Sequence, residues 1–283
     1  MTIAIFGATG KLGSDVLDYL IARGTPAGDV LALGRNTDRL DELADRGFRT
    51  ARVDLDQHEG LAEELQGVEK VLLISTGIPG QRLPQHQAAL DAAKTAGVSH
   101  LIYTSALQAP TTGLVLADEH KVTEEYITAS GVPATFLRNG WYTENHQQDF
   151  AAAQRGVIAN SVGTGRIASA PRREFGEAAA VVLTTPGHEG QAYELSGDVA
   201  WDFTEFASAA QEVLGNPVTY QPLTTDQERE QLLSFGLDEA TIGFVGLLNS
   251  NIADGALAYT NGDLARLTGH ATEPLQNTLR TWV

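Results

Sequence analysis

Apolar positions along the first half of the chain alternate between two periods. Residues 2–6 form a short, largely apolar run that reads as a buried strand. Leu12, Val16 and Leu20 then recur every four residues, which puts them on one face of a helix, and Gly24 suits its C-terminal stop. The same alternation predicts strands over residues 30–33, 48–53, 68–74, 98–104 and 134–138. Between them it predicts helices over 38–46, 61–66, 84–96 and 119–130. Strands separated by helices cannot pair as tight hairpins, so the six strands are expected to be parallel, with crossover helices on both faces. Crossover handedness then gives an α/β fold built on a doubly wound parallel Rossmann sheet.

From Gly140 the regularity weakens. A helix over 174–183, a strand over 191–195, a helix over 204–214 and a strand over 218–221 are still legible. The tail is expected to be helical over 263–270 and irregular after it. No linker or repeat marks a boundary. The expectation is a nucleotide-binding core over residues 1–140 and, over 141–283, mostly a smaller C-terminal α/β substrate-binding lobe with segments returning to the core.

With 283 residues, 42% hydrophobic and 19% charged, the chain can bury a sizeable core. Lys and Arg total 19 against 36 Asp and Glu, a formal charge of -17. That field repels nucleic acid and anionic membrane surfaces, so an anionic ligand needs local donors. There is no cysteine, which excludes disulfides, thiolate catalysis and thiol-bound metal. His86, His120 and His146 are too scattered to predict a metal site. Neither a signal segment nor an 18-residue apolar run is present, which makes the cytoplasm the expected compartment and leaves monomer or homo-oligomer open.

The segment GATGKLG, comprising Gly7, Ala8, Thr9, Gly10, Lys11, Leu12 and Gly13, lies between the first strand and the first helix. Gly7 permits a tight turn, Gly10 allows the backbone to approach a pyrophosphate, and Gly13 admits close packing. Open amides at the helix start favour the phosphates. A site for an unphosphorylated adenosine ribose commonly ends the second strand with an acid. Here the strand ends LGRN, and Arg35 offers a guanidinium to a 2'-phosphate, with Asn36 beside it, so NADPH is the expected cofactor. Asp54 can reach an adenine amino group or cap the next helix. Ser75, Thr76 and Gly77 can contact ribose or simply form a turn.

A short-chain dehydrogenase would carry Tyr-x-x-x-Lys near ADEHKVTEEY, the segment from residue 117. Lys121 has Ala117 four residues before it, and His120 has Leu116. His120 can hydrogen-bond a ribose or substrate oxygen from the helix start, as the side chain most readily poised near neutrality, or can be a surface residue near Asp118 or Glu124. A quinone acceptor removes the need for a positioned acid, since hydride transfer yields a stabilised phenolate that water can protonate. Trp141 and Tyr142 in RNGWYTEN could form a planar wall, with Asn139 and Asn145 orienting carboxamide or oxygen atoms; a core Trp and a capping Asn are the alternatives. Gln81 and Arg82 either close the same cleft or face solvent.

The segments VEKVLLIST, GQRLPQH, YTSALQA, LADEH, LRNGWYTEN and GHEGQAYELSGDVAW, together with GATGKLG, extend over nearly the whole chain. Through them the sequence resembles the NADPH-dependent quinone oxidoreductases of the atypical short-chain dehydrogenase group, NmrA-like. The resemblance implies flavin-free hydride transfer from NADPH to a small-molecule quinone, with His120 near the usual Lys position. It also implies that Arg35 recognises the 2'-phosphate. Asn139, Gly140, Trp141, Tyr142, Thr143, Glu144 and Asn145 would line the cofactor and acceptor cleft, and Arg172 would be a further cofactor-side residue, unless it is merely the exposed start of the next helix. His120 and Tyr142 are the candidate catalytic residues. Related NmrA proteins bind nucleotides to regulate partners, so a nonenzymatic NADP(H) redox sensor is the alternative function.

Overall fold

The computed structural model of the protein describes residues 1–57, 59–76 and 80–283. Its first half runs β1 (Ile3–Phe6), α1 (Lys11–Ala22), β2 (Val30–Gly34), α2 (Thr37–Asp45), β3 (Arg49–Arg52), α3 (Leu61–Glu64), β4 (Lys70–Leu73), α4 (Arg82–Thr95), β5 (His100–Ala106), α5 (Asp118–Ser130) and β6 (Ala134–Asn139). There follow α6 (Gln147–Ala153), β7 (Val157–Asn160), α7 (Arg172–Thr184), β8 (Ala192–Leu195), α8 (Phe203–Leu214), β9 (Thr219–Pro222), α9 (Thr225–Ser234), α10 (Glu239–Ala253), α11 (Asp263–Thr268) and α12 (Leu275–Arg280).

Among the described residues, the main sheet has seven strands in the order β3-β2-β1-β4-β5-β6-β8. Pairs from β3 through β6 are parallel, with Phe6 opposite both Leu33 and Leu73. The chain winds outward from β1 to β3, then returns to the other side of β1 as β4. That reversal opens a crevice at the carboxyl ends of β1 and β4, where doubly wound sheets bind ligands. The seventh strand comes from the later part of the chain: Gly190 N–H donates to Ala134 O at 2.7 Å and Phe136 N–H to Gln191 O at 3.0 Å.

Both sheet faces are covered. Ala4, Phe6, Val71, Leu73, Leu101 and Tyr103 pack with Leu61 of α3, Leu90 and Ala93 of α4 and Ile127 of α5. Ile3 and Ile5 point the opposite way along the strand and are equally buried. On α1, Val16, Leu17 and Leu20 are fully buried. A Cβ on Gly176 of α7 would lie 2.7 Å from Asp15 Cβ, so these two helices approach as only glycine allows.

The chain divides into two compact units. One comprises residues 1–110, 116–139 and 173–194, and the other residues 111–115, 140–172 and 195–283. In the second, β7 and β9 form a parallel pair, and Trp201, Phe203 and Phe206 surround His146. The sequence pattern missed α6, β7, α9 and α10, and it left as irregular the segment that forms α12. Leu279 of α12 is fully buried, and that helix packs on α8, so tertiary contact rather than a long periodic stripe fixes it. The start of α9 was legible in principle: Thr224 Oγ1 accepts from Gln227 N–H at 3.2 Å, and Gln227 Oε1 accepts in return from Thr224 N–H at 2.9 Å.

Candidate functional site

A cleft of about 550 Å³ opens at the β1–β4 reversal, within the first unit. Gly7, Thr9, Gly10, Gly34, Arg35, Asn36, Asp54, Ser75, Thr76 and Gln85 contribute to its walls. The glycine turn is closed by Leu33 O, which accepts from both Gly7 N–H and Ala8 N–H at 3.1 Å, while Gly7 O accepts from Gly10 N–H at 3.0 Å. Gly7 has φ +84°. At Gly13 a Cβ would sit 2.3 Å from Gly7 O and 2.7 Å from Ala8 Cα, so the helix can approach the turn only without a side chain there. Gly34 likewise leaves room for Thr9, whose Oγ1 would lie 2.5 Å from an added Cβ. No side chain caps α1, and its first turn holds no acidic residue. The open amides and positive dipole end are therefore left to an anion.

The sequence-predicted residues take distinct places. Gly7, Thr9, Gly10, Arg35, Asp54, Ser75 and Thr76 share the cleft. Ala8, Leu12 and Gly13 are buried behind it, and Lys11 is exposed at the start of α1. Gly77 lies outside the described residues. Arg35 is exposed at the cleft rim. Arg39, in the first turn of α2, pairs with Glu42 at 2.6 Å. Asn36 spends its side-chain oxygen on capping α2, accepting from Arg39 N–H at 3.1 Å. Asp54 accepts from Asp56 N–H at 3.2 Å while facing the cleft, so it does not cap the following helix.

His120 departs from the surface alternative its position invited. It is buried, not on the surface, and its Nδ1 lies 2.8 Å from Tyr103 Oη. Burial, reinforced by the charge of Arg82 and by His86, lowers its pKa to about 3, so it is not poised near neutrality. Burial raises the Tyr103 pKa above its ordinary value. Lys121, one residue on, is exposed. The hydroxyl of Ser105 donates to Glu124 at 2.5 Å, and Glu124 is bound by Arg138 at 2.6 Å. Arg82 is buried rather than solvent-facing: its Nε donates to Thr76 O at 2.7 Å.

In this first unit Asn139 ends β6, and its backbone oxygen accepts from Leu107 N–H at 3.0 Å. The remaining candidates lie in the second unit. Gly140 N–H donates to Leu195 O at 2.7 Å, and a Cβ there would meet that oxygen at 2.9 Å. Trp141 carries a buried indole N–H that meets no partner among the described residues. Tyr142 forms a bridge with Ala170, and Thr143 is buried with its hydroxyl 3.0 Å from Ser169 Oγ. The Glu144 carboxylate accepts from Arg172 N–H at 2.9 Å, so the half-buried Arg172 starts α7 on that carboxylate. Asn145 is exposed, and its N–H donates to Tyr142 O at 3.0 Å. Sequence reasoning did not anticipate Gln85 in the cleft or the buried His86, Tyr103 and Thr123. All sit on faces of regular elements whose inward side only the packing reveals.

A dinucleotide fits this cleft on the structure's own terms: a glycine cradle that side chains would fill, an uncapped helix start, and the buried Thr76 Oγ1, without a partner among the described residues. These features define a Rossmann nucleotide-binding protein. The chain belongs to the NAD(P)H-binding family, which matches residues 7–186. It is 42% identical over 274 residues to quinone oxidoreductase 2 of Escherichia coli (strain K12), covering 96% of each protein. The crystal structure of the NADPH-dependent quinone oxidoreductase QOR2 from Escherichia coli, complexed with NADPH, superposes with a TM-score of 0.94 at 40% identity over 99% of both chains. Triphenylmethane reductase of Citrobacter sp., complexed with NADP(H), gives 0.94 at 34% identity over 100% of both chains. Among the described residues no helix is long and apolar enough to cross a membrane.

Proposed function

We propose that the protein is an NADPH-dependent quinone oxidoreductase, acting in the cytoplasm. Arg35 carries the cofactor choice: it stands at the end of β2, on the rim of the cleft, where an acid would otherwise receive a ribose hydroxyl. Its fork suits a 2'-phosphate, and the chain's charge of -17 makes such a local cation necessary. Bound there, NADPH supplies the hydride. Gly7, Thr9, Gly10 and the start of α1 receive the diphosphate, Gly34 leaves room for Thr9, and Ser75 and Thr76 face its ribose.

Hydride and its electron pair pass to the quinone ring, and one proton from water completes the hydroquinone. His120 is neutral at physiological pH and gives no proton in this scheme; Tyr103 Oη at 2.8 Å holds its ring orientation. On the sequence likeness, Asn139, Gly140, Trp141, Tyr142, Thr143, Glu144, Asn145 and Arg172 are assigned to the acceptor and the nicotinamide end, with Trp141 and Tyr142 taking the flat face of the quinone. Residues 141–283 then mostly serve the acceptor.

Anaerobic oxidation of NADPH by a panel of benzoquinones tests the reading. Acceptor-dependent turnover is expected. Tight NADPH binding with no turnover on any quinone, together with a nucleotide-dependent protein complex, would instead establish a redox sensor.

A further inference from the structure

The chain leaves β4 under an unusual set of restraints. Ile74 N–H still donates to Phe6 O at 3.2 Å, a sheet bond. Beyond it, side chains take over. Ser75 N–H donates to Thr104 Oγ1 at 2.8 Å, Thr76 N–H donates to His86 Nε2 at 3.1 Å, and Thr76 O accepts from Arg82 Nε at 2.7 Å. Arg82 and His86 are four residues apart on α4, hence on one face. One turn of helix thus holds both backbone polar groups of a residue that lines the cleft.

The hydrogen bonds have a fixed direction. An amide N–H can only donate, so His86 Nε2 is an acceptor and the ring proton sits on Nδ1. That Nδ1–H donates to Thr123 Oγ1 at 3.0 Å, whose own proton goes to Glu119 O at 2.8 Å. Tyr103 Oη lies 3.4 Å from the same nitrogen. The arrangement requires a neutral His86, and burial beside Arg82 lowers its pKa to about 4. At the end of this chain stands Thr76, a residue of the cleft wall, whose buried Oγ1 meets no partner among the described residues. An unsatisfied buried hydroxyl is costly, and a ligand oxygen would remove the cost.

We propose that Arg82 and His86 are positioning residues for the dinucleotide, holding the Thr76 peptide so that its hydroxyl meets a ribose or phosphate oxygen of the bound cofactor. The proposal rests on the family's dinucleotide occupying this cleft and is independent of the acceptor.

The test is titration of the purified protein with NADPH, without any quinone, followed by nucleotide fluorescence. Thr76→Val replaces the unpartnered hydroxyl by a methyl group; Kd should rise about tenfold while Tm does not fall. His86→Leu should weaken binding similarly. His86→Gln can accept from the Thr76 amide and donate to Thr123, and should restore Kd to within about threefold of the wild type. The double variant Thr76→Val, His86→Leu should bind scarcely more weakly than His86→Leu alone, because the two act as one unit. His100→Leu, a loss of a buried histidine at the opposite end of β5, should lower Tm and leave Kd as it was. Nitrogen chemical shifts of the wild-type protein should show His86 protonated on Nδ1. Wild-type affinity in Thr76→Val, or fully multiplicative losses in the double variant, would overturn the proposal; Thr76→Val decides even where His86→Leu does not fold.

Discussion

At Arg35, one side chain separates two cofactors that differ by a phosphate. Arg35→Ala should weaken NADPH binding about 10-fold to 100-fold and leave NADH nearly unaffected, since a charge-assisted phosphate contact contributes roughly 1.5 to 3 kcal/mol. Parallel titrations of both nucleotides decide it, and equal weakening would place Arg35 outside the discriminating contact. His120 illustrates the opposite dependence on surroundings. Its sequence position invites an acid, but burial keeps the ring neutral down to a pKa of about 3. Steady-state quinone reduction by His120→Ala, measured across pH after confirming the fold, should fall by less than about 100-fold. Loss of nearly all turnover with NADPH affinity intact would make His120 an acid after all. Lys121→Ala, altering an exposed side chain, should change less.

The glycine turn works as a unit of strand, turn and helix. Gly13→Ala should impair NADPH and NADH equally, because its methyl group would meet the backbone of Gly7 and Ala8 rather than a movable side chain. Comparing this variant with Arg35→Ala separates the shared diphosphate cradle from phosphate discrimination; undiminished binding of both nucleotides would remove the cradle from the site. Elements of this kind were legible because β1 is a continuous buried run and α1 carries an i, i+4 stripe. In contrast α9, with the sequence TDQEREQLLS, buries only Glu228. That carboxylate accepts from Ser161 Oγ at 2.5 Å and from Asn249 Nδ2 at 2.8 Å, so polar partners distant in sequence anchor the helix. A hydrophobic pattern cannot announce such a helix.

Acid stability belongs to the molecule as a whole. His86 and His100 have pKa values lowered to about 4 and His120 to about 3, all chiefly by burial. Once unfolded, each would protonate near 6.5. Between 6.5 and 4 the unfolded chain therefore binds more protons, and stability that is complete above 6.5 is lost as pH falls through the folded-state values. Each histidine contributes a slope of about 1.4 kcal/mol per pH unit in that window. Calorimetry from pH 7.5 to 4.5 should show Tm falling with acid, and His100→Gln should flatten the slope by one proton; an unchanged slope in that variant would show His100 protonated in the fold.

By itself the sequence determined the alternation of strands and helices, the glycine turn, the arginine at the end of β2 and the missing tyrosine. Each depends on local spacing or on residue type, which a linear pattern retains. The tertiary structure decided that β8 joins the main sheet beside β6 and that α9, α10 and α12 form at all. It also brought Arg82, His86, Thr123, Tyr103 and His120, dispersed over α4, β5 and α5, into one buried hydrogen-bonded group behind the cleft. Burial sets both the cost of an unpaired polar atom and the pKa of an imidazole, and burial depends on what packs against a residue from elsewhere in the chain.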